Sequence, residues 1–438
     1  MTKSLQSWGR YPYHPQVGHP VAWRDGISSE LNALAASYGT ILPYGNGRSY
    51  GSSCLAASNH VLHARALDRF IAADWHAGVI RVESGVTLGE ILEVAIPRGW
   101  MLPVTPGTKY VTIGGAIAND VHGKNHHVRG TFGCHVRRFG LIRSQEGEIE
   151  CGFDENRLLF DATVGGLGLT GVIAWAEIAL MPIRSSQIRS TSIRFASLSG
   201  FFELADDCDA KHEYSVAWID CLASGASLGR GIFMAGDHAV DGTLVIDRTK
   251  KKRVPFVPPI SPINSVTLSL FNEAYYRFAQ RSKPDTLVSY DKYFYPLDSI
   301  LEWNRIYGKA GFQQYQCVVP KATAIDAMRE ILSLIAHSKT GSFLAVLKRC
   351  GDVPSPGLIS FPLEGTSLAL DFPQHDDANR RLFASLDAVV RDAGGRLYPA
   401  KDAHMSGADF RATYSRWSEL ETLRDPAIMS QFWKNVIQ

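Results

Sequence analysis

The chain has no apolar run approaching the roughly 18 residues that would cross a bilayer as a helix. It has no CxxC pair either. Its seven cysteines, at 54, 134, 151, 208, 221, 317 and 350, are scattered and odd in number. That argues against a disulfide framework or a zinc ribbon and fits reduced thiols in a cytosolic protein. An excess of charge of one sign is also missing. The formal net charge is +2 in 438 residues, which gives no electrostatic case for a nucleic-acid partner. The first ten residues lack the apolar segment of a secretory signal. A cytoplasmic protein is therefore expected, at most peripheral at the inner membrane. No GxGxxG opens a helix after a strand and no GxxxxGK[ST] occurs, so a Rossmann NAD site and a P-loop are both poorly supported.

What the chain does have is three glycine-rich loops within its first 171 residues. The first is Gly45-Asn46-Gly47-Arg48-Ser49-Tyr50-Gly51, directly after the short extended stretch 41–43. The second runs from Pro106-Gly107-Thr108 through Thr112-Ile-Gly114-Gly115-Ala116 to Asn119-Asp120-Val-His122-Gly123-Lys124. The third is Gly165-Gly166-Leu-Gly168-Leu-Thr170-Gly171-Val172. Singly, each is a tight turn. Together, each abutting an apolar run of strand character, they suit a long dinucleotide laid over backbone amides, because glycine lets successive N–H groups turn towards a phosphate.

The length predicts two or three lobes, since domains run to about 100–200 residues. The first third alternates helix and strand signals: a helix over 29–38 stopped by Gly39, a strand over 79–82, and a capping box Thr87-Leu-Gly-Glu90 opening a helix with Leu88, Ile91, Leu92, Ala95 and Ile96 on one stripe. A further strand spans 172–180. After about residue 183 the glycine loops thin out. Strands are expected at 214–219, 311–319, 342–348, 367–372 and 396–400. Helices are expected at 323–337, with Ile325, Met328, Leu332 and Ile335 inward, and at 378–392. From residue 311 the order is β-α-β-β-α-β, the split βαβ pattern of an α+β lobe. The run Arg248-Thr-Lys-Lys-Lys-Arg253, followed by four prolines up to residue 262, reads as a poorly ordered loop. It is either solvated or a lid that touches anionic headgroups.

Several strings are more specific: Gly-Arg48-Ser-Tyr50-Gly, Val-Thr112-Ile-Gly-Gly-Ala-Ile-Ala, Asp120-Val-His122-Gly-Lys124-Asn-His-His127, Glu302-Trp-Asn-Arg305, Gln314-Tyr-Gln316 and Leu397-Tyr398-Pro-Ala-Lys401-Asp402. On these the chain resembles the vanillyl-alcohol-oxidase-type flavoproteins, and within them the members that oxidise a polyprenyl-phosphoryl sugar. The resemblance runs from Trp8 to Asp425, nearly the whole chain. It implies an α+β, two-lobed FAD-binding fold with an antiparallel-sheet substrate lobe. The FAD-binding part would be residues 1–185 and 396–438, and the substrate part 186–395. FAD would lie on Gly45, Asn46, Gly47, Arg48, Ser49, Tyr50, Pro106, Gly107, Thr108, Thr112, Gly114, Gly115, Ala116, Asn119, Asp120, His122, Gly123, Gly166, Gly171, Val172 and Tyr398.

The resemblance places His122 beside the flavin, Lys401 and Tyr50 at the reacting carbon, and Lys124, Trp218, Phe294, Gln314, Gln316, Lys348, Ser367 and Ala369 around the substrate. Lys401 would be either a base with a lowered pKa or a cation that stabilises developing negative charge. Residues His122, His126, His127 and His135 share no helical face and no acidic neighbour, so no metal is expected. Arg48 stands where many relatives tether the flavin through histidine, so non-covalent FAD is implied. Ala369 stands where the nearest members carry a cysteine, and Phe294 replaces a tyrosine. The implied partners are a lipid-linked sugar, a keto-reductase and an anionic membrane surface met by residues 248–262. Two alternatives remain: an oxidase of a free polyol or aldonolactone, and a non-catalytic flavin-binding scaffold.

Overall fold

In a computed structural model, residues 5–259, 261–278 and 285–438 are described. The glycine-rich first part builds two small sheets. Strands Val17–Pro20, His60–His63 and Leu42–Tyr44 form a parallel three-stranded sheet in that spatial order. Strands Phe70–Asp74, Val79–Glu83, Val172–Ala179, Val136–Arg143 and Gly147–Gly152 form an antiparallel five-stranded sheet. The expected helix spans Ile27–Tyr38, and Gly39, at φ +80°, ends it in a conformation that costs glycine little. The capping box is present in full: Thr87 Oγ1 accepts from the Glu90 amide at 3.2 Å and Glu90 Oε2 accepts from the Thr87 amide at 2.8 Å. It opens the helix Leu88–Ala95, whose Leu88, Ile91, Leu92 and Ala95 are all buried.

The second part is one antiparallel eight-stranded sheet. Its order is Thr286–Ser289, Gln187–Phe195, Gly231–His238, Tyr214–Ile219, Ala345–Cys350, Gly365–Pro373, Phe312–Pro320, Arg396–Leu397. The last four strands and the helices Ala324–Ser338 and Asp376–Asp392 form the anticipated split βαβ unit, with spatial order fourth, first, third, second. The sequence expectation extended its final strand to Ala400, but pairing stops at Leu397, where the chain turns under Lys401. That strand also joins this sheet, so a division at 395/396 separates it from the sheet it completes. Ile325, expected inward, is exposed. It sits in the first turn of its helix, at the edge of the arc defined by Ala324, Met328, Ile331 and Ile335.

The basic segment, read as poorly ordered, is held at definite points. Lys252–Arg253 pairs in parallel with Ile300–Leu301, Lys251 Nζ donates to Tyr110 Oη at 2.7 Å, and Arg305 Nη1 donates to the carbonyls of Val254 and Pro255. The order comes from the backbone pairing and from Lys251 and Arg305, while the side chains of Arg248, Lys250, Lys252 and Arg253 stay exposed. Ile260, counted as part of that segment, lies outside the described residues. Among the described residues no helix is long and apolar enough to cross a membrane.

Candidate functional site

A cavity of about 890 Å³ runs between the glycine loops and one face of the eight-stranded sheet. It is large for a ligand site, where roughly 300–1,000 Å³ is usual. All site residues anticipated from sequence line it, except Ala116, Asp120 and Gly166. Those three are structural corrections. Ala116 is buried inside the helix Ile113–Ala118. Asp120 turns away from the cavity and accepts from the Gly133 amide (2.8 Å), Ser360 Oγ (2.6 Å) and Ser355 Oγ, tying its loop to residues 355–360. A Cβ at Gly166 would run into the Ala162 carbonyl, so packing alone requires glycine there.

At the glycine end, the backbone amides of Asn46, Gly47, Arg48 and Ser49 donate to no protein acceptor among the described residues. Four consecutive unspent donors beside a cavity form a cradle for an anion. Gly107 and Gly168 open onto empty space. Arg48 Nε, Ser53 Oγ and Ser84 Oγ are buried on this wall without a partner among the described residues. Buried polar atoms are normally satisfied, so such a cluster points to an absent ligand. The guanidinium of Arg48 lies over Trp8, 4.2 Å from its ring centroid. Burial lowers its pKa, opposed by Asp298. Amide cradle, orphaned donors and volume together fit a dinucleotide such as FAD, which these residues could hold.

At the sheet end, Lys401 lies in the turn four residues after the end of the last strand, Arg396–Leu397. Its Nζ sits 3.7 Å from the centre of the Tyr50 ring. Burial pushes the lysine down to about 7, and Asp371 acts in the opposite sense. Asp371 is itself buried and pushed up to about 7, with Gln314 Nε2 donating to it at 2.6 Å. Strand register sets Gln314 opposite Asp371 and Gln316 opposite Ala369. Gln316 Nε2 lies 3.1 Å from His122 Nε2. With Gln316 donating, the imidazole proton sits on Nδ1, which has no partner among the described residues. Burial and the charge of Lys348 hold His122 well below its ordinary pKa, so it is neutral. Tyr398 donates to the Asn119 carbonyl at 2.8 Å, fastening the C-terminal part to the second glycine loop.

Two further lysines face the same space. Lys348 donates to the Gly123 carbonyl at 2.9 Å and is pushed down to about 8 by burial. Lys124 donates to the Tyr293 carbonyl and is pushed down to about 7 by burial and by Lys348. Trp218 is anchored through Nε1 to the Phe343 carbonyl at 2.9 Å, and Phe294 packs edge-on against Tyr214 and Tyr293. Ser367, Ala369 and Asp371 alternate along one strand, which aims the same face of each inward. Sequence reasoning passed over Asp371, although its place two residues beyond Ala369 on the same strand face was its signal. It also passed over Asp298, which accepts from Thr108 Oγ1 and the Lys109 amide, both at 2.8 Å. His126, His127 and His135 are partnered too: His126 Nδ1 accepts from the Gly351 amide, and His127 and His135 meet backbone carbonyls.

The FAD binding domain family matches residues 24–152. The chain is 34% identical to decaprenylphosphoryl-beta-D-ribose oxidase of Mycolicibacterium smegmatis, over 97% of this chain and 95% of that protein. It is 32% identical to an uncharacterized protein of Streptomyces coelicolor, over 77% of this chain and 95% of that one. L-gulonolactone oxidase 5 of Arabidopsis thaliana is 27% identical over 42% of this chain and 31% of its own length.

Proposed function

Because the chain belongs to the vanillyl-alcohol-oxidase-type FAD-dependent oxidoreductases, in the family of decaprenylphosphoryl-beta-D-ribose oxidase, we propose that it oxidises C2 of a polyprenyl-phosphoryl ribose to a ketone, the first half of an epimerisation to arabinose. The observation that carries this reading is the buried Lys401, held against Tyr50 on the cavity wall and pushed down to about 7.

Oxidising a carbinol removes a proton from oxygen and a hydride from carbon. Bound FAD supplies the two-electron acceptor for the hydride. With a pKa near neutrality, Lys401 is present as free amine in a large fraction of molecules and accepts the hydroxyl proton, becoming the ammonium. Asp371 then stabilises that new charge. Gln314 and Gln316 orient ring hydroxyls, Ser367 adds a further hydrogen bond, and the Nδ1 proton of His122 offers a donor at the flavin edge. Lys124 and Lys348 supply charge for the phosphate. A free polyol or aldonolactone would leave those two lysines without a counter-charge, and a non-catalytic scaffold has no use for a lysine with a perturbed pKa. In this reading residues 1–185 and 396–438 hold the cofactor non-covalently and 186–395 cap it. The keto product is consumed by a separate reductase. The basic segment 248–262 meets anionic headgroups, so the protein works peripherally at the inner membrane.

The test is anaerobic titration with a panel of prenyl-phosphoryl sugars and free polyols, following loss of flavin absorbance. Bleaching by the prenyl-phosphoryl ribose, lost in Lys401→Ala while FAD stays bound, is expected. Bleaching by free polyols alone would overturn the substrate, and undiminished bleaching in Lys401→Ala would overturn the base.

A further inference from the structure

The inner face of the helix Ser265–Phe278 is held largely by polar side chains: Asn272 Nδ2 donates to Asp220 Oδ1 at 2.8 Å, Glu273 is ion-paired with Arg230 at 2.6 Å, and Tyr276 Oη donates to the Phe195 carbonyl at 3.1 Å. Asn272 is 0% exposed, and Leu268, at 1%, is the one buried apolar residue of the helix. Its other large apolar residues face out, beside the exposed Ser265, Thr267, Ser269 and Arg277. Val266 is 65% and Leu270 68% exposed, and Ala274 continues the same i, i+4 ridge. On the adjoining ridge stand Phe271 and Tyr275, each 41% exposed. A surface helix normally buries its apolar stripe, and a contiguous apolar ridge left outside marks a contact surface.

Two observations say what covers it. The first is position. Phe271 and Tyr275 also line the cavity, stacked at 5.7 Å, with Phe271 edge-on to Phe343 and Tyr275 edge-on to Trp218. An aromatic wall therefore runs without a break from the outer ridge to the substrate end of the cavity. The second is charge. Arg248, Lys250, Lys252 and Arg253 are exposed and form no ion pair among the described residues. This run is mounted on the same support as the helix: Lys252–Arg253 pairs with Ile300–Leu301, while Ile263 and Leu268 pack in one cluster with Tyr307. An exposed apolar ridge with a run of unpaired cations on a neighbouring segment is the pattern of a surface that meets an anionic bilayer.

We propose that the helix Ser265–Phe278 is a membrane-docking element: Val266 and Leu270 insert among the acyl chains, and the Phe271–Tyr275 wall guides the prenyl chain of the substrate into the cavity without exposing it to water. This rests on the lipid-linked substrate proposed above, and it assigns the docking surface to an apolar helix that the basic segment only assists.

The test uses the FAD-loaded protein, vesicles of phosphatidylcholine and phosphatidylglycerol in equal parts, and the double variant Val266→Ser/Leu270→Ser. Both positions lie off the cavity wall, so folding and flavin content should match wild type. Wild type should co-sediment with the vesicles, and loss of two inserting aliphatic side chains should weaken binding by about tenfold or more. Tryptophan at Leu270→Trp should shift to the blue on binding and be quenched by lipids brominated in the acyl chain. Turnover of vesicle-borne long-chain substrate should fall with binding, whereas turnover of a short-chain, water-soluble prenyl-phosphoryl ribose should not change. Vesicle binding by the double variant equal to wild type would overturn the proposal. So would a wild-type dimer that the double variant abolishes, because that gives the ridge to a second copy. Failure of wild type to act on the short-chain substrate would instead refute the function itself, whatever the vesicles show.

Discussion

Replacing Asp371 with Asn should move the pH dependence of flavin reduction towards acid. Lys401 is pushed down to about 7 by burial, and Asp371 is the group that resists this. If the neutral amine is the base, reduction rises with pH through about 7 and then levels off. At pH 5 only about 1% of molecules would carry the free amine, so the rate should be about 100-fold below the plateau. An opposite charge a few ångströms away typically shifts a pKa by about one to three units. Asp371 is itself pushed up to about 7 and so is only partly ionised near neutrality, which holds the shift below about one unit. At pH 6 the variant should then reduce its flavin faster than wild type by less than about fivefold, while the plateaus stay alike. The amide is isosteric and can still meet Gln314, so the cavity should keep its shape. The assay is anaerobic stopped-flow bleaching from pH 5 to 9 at saturating substrate. A midpoint that stays put or rises, or a rate already flat at pH 5, would refute Lys401 as the base and leave it the role of a fixed cation.

Acid precipitation should leave the yellow colour in the supernatant, because Arg48 offers no nucleophile for a flavin link; a yellow pellet would contradict this. A thiol-directed reagent small enough to enter the cavity should give no adduct on the peptide holding Ala369, and Ala369→Cys should create one. Cys54, also on the wall, is pushed up to about 12 by burial and should stay largely unlabelled by mass spectrometry. Lys250→Ser/Lys252→Ser should lower affinity for anionic vesicles by about 10- to 30-fold, at about 1 kcal/mol per cation, and the difference should vanish in high salt. His404, 3.0 Å from Asp402 and 3.3 Å from Asp387, is raised to about 9: burial opposes its charge, and the two carboxylates outweigh burial. Its folded value lies above the unfolded one, so its stabilisation is full below about pH 6.5 and lost as pH rises through about 9. His404→Gln should therefore cost on the order of 2 kcal/mol at pH 6 and little at pH 9.5 in denaturant titrations.

Features encoded locally were the ones legible in the sequence. The capping box at Thr87, the stop at Gly39, the three glycine loops and the β-α-β-β-α-β order each depend on residues a few positions apart, and each stands in the structure. The family strings around His122 and Lys401 led to the cavity for the same reason. Features set by distant partners were not legible. Asp371 acquires its meaning only from Gln314, 57 residues away, through strand register. Asp120 reads as one more loop residue until Ser355 and Ser360 close over it. The helix Ser265–Phe278 escaped notice because its apolar residues do not mark a core-facing stripe. The order of the basic segment depends on Arg305 and Tyr110, which no local rule connects to it.

The closure of the glycine-rich part by the end of the chain bears on how the protein is made. Ile41 exchanges backbone hydrogen bonds with Ala427 and Met429, Gln431 donates to the Leu55 carbonyl, and Trp433 is fully buried. Between them, the Tyr50 and Ser52 amides bond to the carbonyls of Ala400 and Asp402, on either side of Lys401. During synthesis the first lobe emerges hundreds of residues before these partners exist. N-terminal domains ordinarily fold as they appear, but the pocket of this one is closed only once residues 400–433 are available. A nascent chain stalled short of residue 400 would therefore lack a finished flavin pocket. Loss of residues 427–438 should strip the protein of its colour as well as its activity.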